Sequence, residues 1–165
     1  MNTDMLIKSA DSSEIKILLR KWKEKCKWLD DRGLVTWNAA SFTEENLQKQ
    51  YIAPHYFSCY LHDQLCGGFI LLTKDRFFWP DKTEDDSFYI HKLMVCNGFN
   101  GKGYGKLIIN WIKEYGKQNG KKYIRLDYFK NKQGLARFYA ENGFCKTDEV
   151  SFQDRGVIIK AKCQL

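Results

Sequence analysis

Leu93-Met94-Val95-Cys96-Asn97-Gly98-Phe99-Asn100-Gly101-Lys102-Gly103-Tyr104-Gly105-Lys106-Leu107-Ile108 runs from an apolar strand, through a glycine-rich turn, into a helix. Residues 88–95 read as the strand. Leu107, Ile108, Trp111, Ile112 and Tyr115 give the helix one apolar face, which Gly116 or Gly120 closes. Glycines let backbone N–H groups approach a ligand without interference from Cβ. The opening turn of a helix adds unpaired N–H donors and a partial positive charge. Together they suit a phosphate or diphosphate, and Lys102 and Lys106 add full charges. Gly101, Gly103 and Gly105 miss the G-x-G-x-x-G spacing, and Gly105-Lys106 is followed by Leu107 where a P-loop needs Ser or Thr. Taken by itself, the turn is equally a plain glycine turn ahead of a helix.

Upstream, residues 5–8 read as a short strand, and Asp11 with Glu14 forms a capping-box pair. Ile15, Leu18, Leu19, Trp22, Cys26 and Leu29 mark the buried face of the helix that follows, which Gly33 ends. Ser41 with Glu44 starts a second, shorter helix. Residues 56–61 and 65–73 are strand-like and joined at His62-Asp63-Gln64, a hairpin. A polar and aromatic loop covers 74–87. Downstream, 123–128 is a strand, and Leu135, Phe138 and Tyr139 share a helix face that Gly143 stops. Residues 150–152 and 157–163 close the chain as strands around Asp154-Arg155-Gly156. The order β-α-α-β-β-β-α-β-α-β-β mixes hairpins with strand-helix-strand units, so an α+β fold with a mixed sheet is expected.

The 165 residues, 44% hydrophobic and 15% aromatic, suffice for one packed domain, and disorder is not expected. No linker, repeat, signal peptide or membrane span is read, which points to the cytoplasm. Six cysteines show no C-x-x-C pair and no finger-like Cys/His cluster, so reduced, mostly buried thiols and no metal are expected. The net charge of +7 gathers around the glycine turn, which suits an anionic ligand. No RNP or helix-turn-helix signature accompanies it, so no nucleic-acid partner is expected.

The stretch Leu93-Met94-Val95 followed by Asn100 to Gly105 resembles motif A of the GNAT family of N-acetyltransferases, L-x-V and then Q/R-x-x-G-x-G/A. Gly103 and Gly105 fall on its small positions, and Asn100 stands where Gln or Arg is usual. Leu135-Ala136-Arg137-Phe138-Tyr139-Ala140-Glu141-Asn142-Gly143-Phe144 resembles motif B, L-x-x-F-Y-x-x-x-G-F. Tyr89-Ile90-His91-Lys92-Leu93, Arg125-Leu126-Asp127 and Trp37 look like a subgroup of small bacterial members. Family members often carry an Asn seven residues before the motif B tyrosine; here that place is Lys132, with Asn131 one earlier.

What the resemblance implies is a single GNAT domain over 1–165 and a mixed, mostly antiparallel sheet of about six or seven strands. It also implies about four helices and a V-shaped split between the two central strands. Acetyl-CoA would be the co-substrate, its acetyl group passing directly to a small-molecule or peptide amine. Its pantetheine would pair with the backbone of Leu93, Met94 and Val95, and its diphosphate would lie on Asn100, Gly101, Lys102, Gly103, Tyr104, Gly105 and Lys106, with Asn131 and Lys132 as further contacts. Tyr139 would protonate the leaving thiolate, or else is an ordinary helix aromatic. His91 would act as base, with a water relay or a purely structural histidine as alternatives. Trp37, Trp79 and Asp127 would line the acceptor pocket; alternatively the tryptophans pack against the first helix and Asp127 pairs with its neighbours in a structural role. The run Asp81, Glu84, Asp85 and Asp86 hints at a polycationic acceptor. Homodimers are frequent in the family, and no membrane partner is implied. A GNAT-like module that holds acyl-CoA without turnover is the alternative.

Overall fold

The computed structural model describes residues 4–165. Seven strands and four α-helices follow in the order β1 (Met5–Ser9), α1 (Ser12–Asp30), a 3-10 turn (Ala39–Ser41), α2 (Glu44–Gln50), β2 (His55–Leu61), β3 (Gln64–Leu72), β4 (Ser87–Val95), α3 (Tyr104–Gln118), β5 (Tyr123–Phe129), α4 (Gln133–Glu141), β6 (Cys145–Phe152) and β7 (Gly156–Gln164). The strands hydrogen-bond into one sheet in the order β1-β2-β3-β4-β5-β7-β6. β4 and β5 run parallel, whereas β1–β2, β2–β3, β5–β7 and β7–β6 are antiparallel. This is the α+β architecture expected from the sequence.

Two compact units divide the chain. The first takes in the chain up to Leu72 together with Lys92–Ile108; the second is Thr73–His91 with Ile109–Leu165. In the first, α1 starts at Asp11, whose carboxylate accepts from the N–H groups of Ser13 and Glu14 while Glu14 accepts from the Asp11 N–H. This is the reciprocal capping box. The apolar stripe of α1 then buries Leu18, Leu19, Trp22 and Cys26. Trp22 stacks on Phe42 at 5.5 Å, and Phe57 on β2 stacks on Phe69 of β3 at 5.0 Å. A Cβ on Gly68 would meet the Leu18 side chain, and one on Gly67 would lie 2.6 Å from the Met94 carbonyl oxygen. Gly67 thus lets β3 pass close behind the strand segment that leads into the glycine turn.

In the second unit, the β4–β5 ladder has three pairs, Ser87↔Tyr123, Phe88↔Ile124 and Tyr89↔Arg125. Both strands continue past these pairs, β4 to Val95 and β5 to Phe129. Arg125 donates to the Ser87 hydroxyl at 2.9 Å beside that junction. Buried Ile112, Ile124, Leu126, Ile158 and Ile159 supply the core here.

Two local expectations need correction, and one open alternative is decided. Thr43, not Ser41, caps α2, and Ser41 belongs to the 3-10 turn. Gly116 lies inside α3, and a left-handed Gly120 follows its end. β6 begins at Cys145, five residues before the expected 150. Its Cys-Lys-Thr-Asp-Glu opening is exposed at the sheet edge, where no apolar alternation is required and charges guard against edge pairing.

Candidate active site

The first unit holds the glycine turn, whose geometry is suited to an anion. Within β4, Lys92 adopts φ +53°, a left-handed conformation uncommon for a side chain with a Cβ. The Trp22 indole N–H donates to the Lys92 carbonyl at 2.9 Å, and the Lys92 ammonium lies over the rings of Trp37 and Phe42. Such a break in the strand re-aims the residues that follow it, Leu93, Met94 and Val95. Leu93 and Val95 are part-exposed and Met94 is buried. Beyond them, Gly101 and Gly103 have φ +73° and +82°, with nothing within 4 Å of where a side chain would go. These conformations turn successive amides toward one side, and Gly103 O receives the Leu107 N–H as α3 starts. Tyr104, Gly105 and Lys106 form the first turn of α3; Lys102 and Lys106 are exposed.

Asn100 is engaged by a residue that sequence reading passed over. Lys25, on α1 and only 6% exposed, donates from Nζ to Asn100 Oδ1 at 2.8 Å and lies over the Trp28 ring. Burial lowers its pKa from the ordinary 10.5, with Arg32 adding to that and Cys96 opposing it. A lysine three residues after Trp22, inside the apolar stripe of α1, was the available signal. It supplies a cation to the turn where this chain has Asn in place of the family's usual Gln or Arg.

The second unit gathers Asp75, His91 and Asp127 into one cluster. His91 on β4 is buried, and its Nε2 lies 2.8 Å from Asp75 Oδ2. Asp75 Oδ1 accepts from the N–H groups of Phe77 and Phe78 at 3.1 and 3.0 Å. A carboxylate offers only acceptors, so a neutral imidazole here carries its proton on Nε2, and Nδ1 is its acceptor nitrogen. That Nδ1 lies 3.8 Å from Asp127 Oδ2 on β5. Burial alone would raise the Asp75 pKa, but the His91 hydrogen bond, the His91 charge and the two backbone donors outweigh it and hold the carboxyl below its ordinary 3.8. One atom from each of Asp75, His91 and Asp127 lies within 4.8 Å of the others, a grouping able to hold a cation as well as a proton. Asp75 gave no signal in the sequence, because a lone Asp in a loop looks like any turn residue.

Tyr139 on α4 is buried among Tyr128, Phe138 and Phe144. Burial first, then the charge of Asp127 and then Tyr128, push its pKa well above the ordinary 10, so the phenol stays protonated. His91, Asp127 and Tyr139 thus belong to one unit, with Asp127 acting electrostatically on Tyr139 and its Oδ2 3.8 Å from His91 Nδ1. Lys132 is the N-cap of α4 without a side-chain cap bond, and Asn131 is exposed in the turn before it. Trp79 is buried, tilted against Tyr89, with Arg125 and Lys160 over its ring faces. Trp37 packs edge-on against Phe42 in the first unit.

The model of the acetyltransferase (GNAT) family matches residues 22–144. The uncharacterized N-acetyltransferase YesJ of Bacillus subtilis (strain 168) is 28% identical over 124 residues, which cover 72% of this chain and 69% of that protein. A GNAT-family acetyltransferase from Listeria monocytogenes 4b F2365 superposes with a TM-score of 0.76 at 18% identity, over 98% of this chain and 95% of its own. The aminoglycoside acetyltransferase AAC(6')-Ib, solved with coenzyme A and kanamycin, gives 0.75 at 14% identity, over the same 98% and 95%. At those identities the two structures establish the fold.

Proposed function

The chain belongs to the acetyltransferase (GNAT) family, and from that premise we propose that it moves an acetyl group from acetyl-CoA directly to a primary amine. Acyl transfer as such follows from the family. Support for the donor comes from the cradle of the first unit: left-handed Gly101 and Gly103 at the start of α3, flanked by Lys102 and Lys106, suit a diphosphate. AAC(6')-Ib, of the same fold, was solved with coenzyme A. In this proposal the amides of Leu93, Met94 and Val95 hold the pantetheine arm, and Asn131 and Lys132 are secondary contacts.

The proton-transfer groups are those of the second unit. The amine must lose a proton before it attacks, and His91 Nδ1, its lone pair fixed by Asp75, takes that proton directly or through one water. The nitrogen attacks the thioester carbonyl carbon, the N–C bond forms and the C–S bond breaks. The departing sulfur receives a proton from the Tyr139 hydroxyl. With its pKa raised, Tyr139 is by itself a reluctant donor to a thiolate. Asp127 resolves this. Once His91 is an imidazolium, it offsets the Asp127 charge that opposes tyrosinate, so uptake of the amine proton eases release of the phenolic one. The acid and the base are thus coupled through one carboxylate.

The same proposal takes 1–165 as one catalytic domain of the cytoplasm, where free thiols such as the six here persist. Calorimetry with acetyl-CoA tests the cradle. Gly103→Val, forced to hold φ +82°, is expected to weaken binding at least about tenfold. Unchanged affinity would overturn the cradle assignment.

A further inference from the structure

β5 and β7 set three cations on one face of the sheet in the second unit. Arg125 lies directly opposite Lys162 in the ladder, and Lys160 lies opposite Asp127, two residues along. Like charges paired straight across a ladder repel, and diagonal neighbours such as Arg125 and Lys160 are within reach of each other's long side chains. These cations lie over rings. Arg125 and Lys162 are each 4.9 Å from the centroid of Tyr123, and Arg125 and Lys160 are 5.0 and 4.4 Å from that of Trp79.

A ring face attracts a cation but does not satisfy its N–H groups as an oxygen would. Arg125, 5% exposed, gives its Nε–H to the Ser87 hydroxyl at 2.9 Å, and among the described residues its two Nη groups meet no acceptor. Lys160, 6% exposed, has one carboxylate oxygen in ion-pair range, Asp148 Oδ2 at 3.9 Å, which is beyond hydrogen-bond distance. The Trp79 indole N–H is enclosed and has no hydrogen-bond partner. The acids around this cluster act at one remove. Asp86 reaches Arg125 only through the Ser87 hydroxyl, whose proton it accepts at 2.7 Å. Asp81 pairs with Lys82, and its carboxyl is lowered first by that hydrogen bond and least by the Lys160 charge. Asp127 Oδ2 lies 3.8 Å from His91 Nδ1, and Glu84 is exposed with no ion pair.

Buried donors left without acceptors are costly. Those of Arg125 have a definite shape: with Nε engaged, the two Nη groups are a fork that matches a carboxylate through two parallel hydrogen bonds. The same residues adjoin the Asp75–His91 pair. The Trp79 backbone N–H donates to the Asp75 carbonyl at 3.0 Å. Tyr89, tilted against Trp79 at 6.0 Å, pairs with Arg125 and stands two residues before His91 on β4.

We propose that Arg125, Lys160 and the Trp79 indole N–H form a binding site for a carboxylate. Its closeness to His91 makes the amine acceptor the expected bearer, a step that rests on the acetyl-transfer reading; a free carboxylic acid is the other source of the same chemistry.

The site is tested apart from any activity by NMR of the indole N–H groups, with Trp79→Phe assigning the signal and sodium acetate titrated against sodium chloride at equal ionic strength. Acetate is expected to move the Trp79 signal saturably, and Lys160→Met to raise the acetate Kd at least about tenfold. Loss of a buried cation without a close counter-ion should leave the melting temperature in the absence of acetate unchanged or higher, so the variant stays folded. A signal that acetate does not move, that chloride moves equally, or that responds the same in Lys160→Met overturns the proposal. A second arm measures thiol release from acetyl-CoA with glycine, β-alanine, 4-aminobutyrate and 6-aminohexanoate, each beside the alkylamine that lacks the carboxylate. At least one acid is expected to exceed its alkylamine at least about tenfold in kcat/KM, and that ratio to fall toward one in Lys160→Met. No preference for any acid, with acetate still binding, keeps the site and assigns it to free carboxylic acids. Thiol release with none of these or other amines overturns acetyl transfer and leaves the acetate titration to decide the site.

Discussion

Asp75→Asn changes one charge with little change of shape, and among the proposed catalytic groups it acts on the base. The carboxylate holds three donors: His91 Nε2–H at 2.8 Å and the N–H groups of Phe77 and Phe78 at 3.1 and 3.0 Å. An asparagine that keeps its oxygen on the two backbone donors turns its NH2 toward His91 Nε2. The ring must then move its proton to Nδ1, and the lone pair that would accept the amine proton is lost. An asparagine flipped the other way keeps the tautomer but sets NH2 against two backbone N–H groups. Either way a charge-assisted hydrogen bond of about 1.5–3 kcal/mol goes, which converts to about 10–150-fold in kcat/KM. The assay is thiol release with the best amine acceptor, read as a pH profile, alongside calorimetry for acetyl-CoA. Acetyl-CoA affinity is expected to stay within about twofold, because Asp75 is not among the groups proposed to hold the cofactor. Nitrogen NMR of the imidazole would report the tautomer directly. A variant with kcat/KM within twofold of the parent and an unchanged profile would refute the idea that Asp75 sets the base.

Further predictions follow from the same geometry. Tyr139→Phe removes the donor to sulfur and is expected to lower kcat about 10²–10⁴-fold with acetyl-CoA affinity intact; because burial and Asp127 raise the Tyr139 pKa, the parent should show no activity break from this group below about pH 10. Lys25→Met withdraws the cation bonded to Asn100 and should weaken acetyl-CoA binding about 5–30-fold by calorimetry while kcat at saturation changes little. Acid stability gives a signed test: the Asp75 carboxyl is depressed in the fold, so its contribution is fully present above its ordinary value of 3.8 and lost as pH falls through the lower folded value. The melting-temperature gap between parent and Asp75→Asn should therefore be open at pH 6 and narrow as pH falls below 3.8 through the folded value, and a gap that persists unchanged in acid would contradict it.

The fold was largely legible because its elements carry strong local signals. Trp22 and its helical neighbours, the capping pair Asp11 and Glu14, and the glycine turn at Gly101 and Gly103 each follow from short-range chemistry. β6 was legible only in its last residues, since an exposed edge strand is free to be polar throughout. The site divides the same way. Asn100 through Lys106, His91 and Tyr139 stood out by residue type and spacing. Lys25 and Asp75 did not, because each matters through a partner 75 and 16 residues away in sequence. The left-handed Lys92 was also invisible, since nothing in a strand-like run marks where it breaks.

The most direct test of acetyl transfer is to mix the protein with acetyl-CoA and a panel of primary amines, then measure free thiol and the mass of each amine together. Equal amounts of thiol and of N-acetylated amine, both abolished in a Tyr139→Phe, Asp75→Asn double variant that still binds acetyl-CoA, are predicted. Binding of acetyl-CoA with no acetylated amine from any of the panel, or thiol release that persists unchanged in the double variant, would contradict the account.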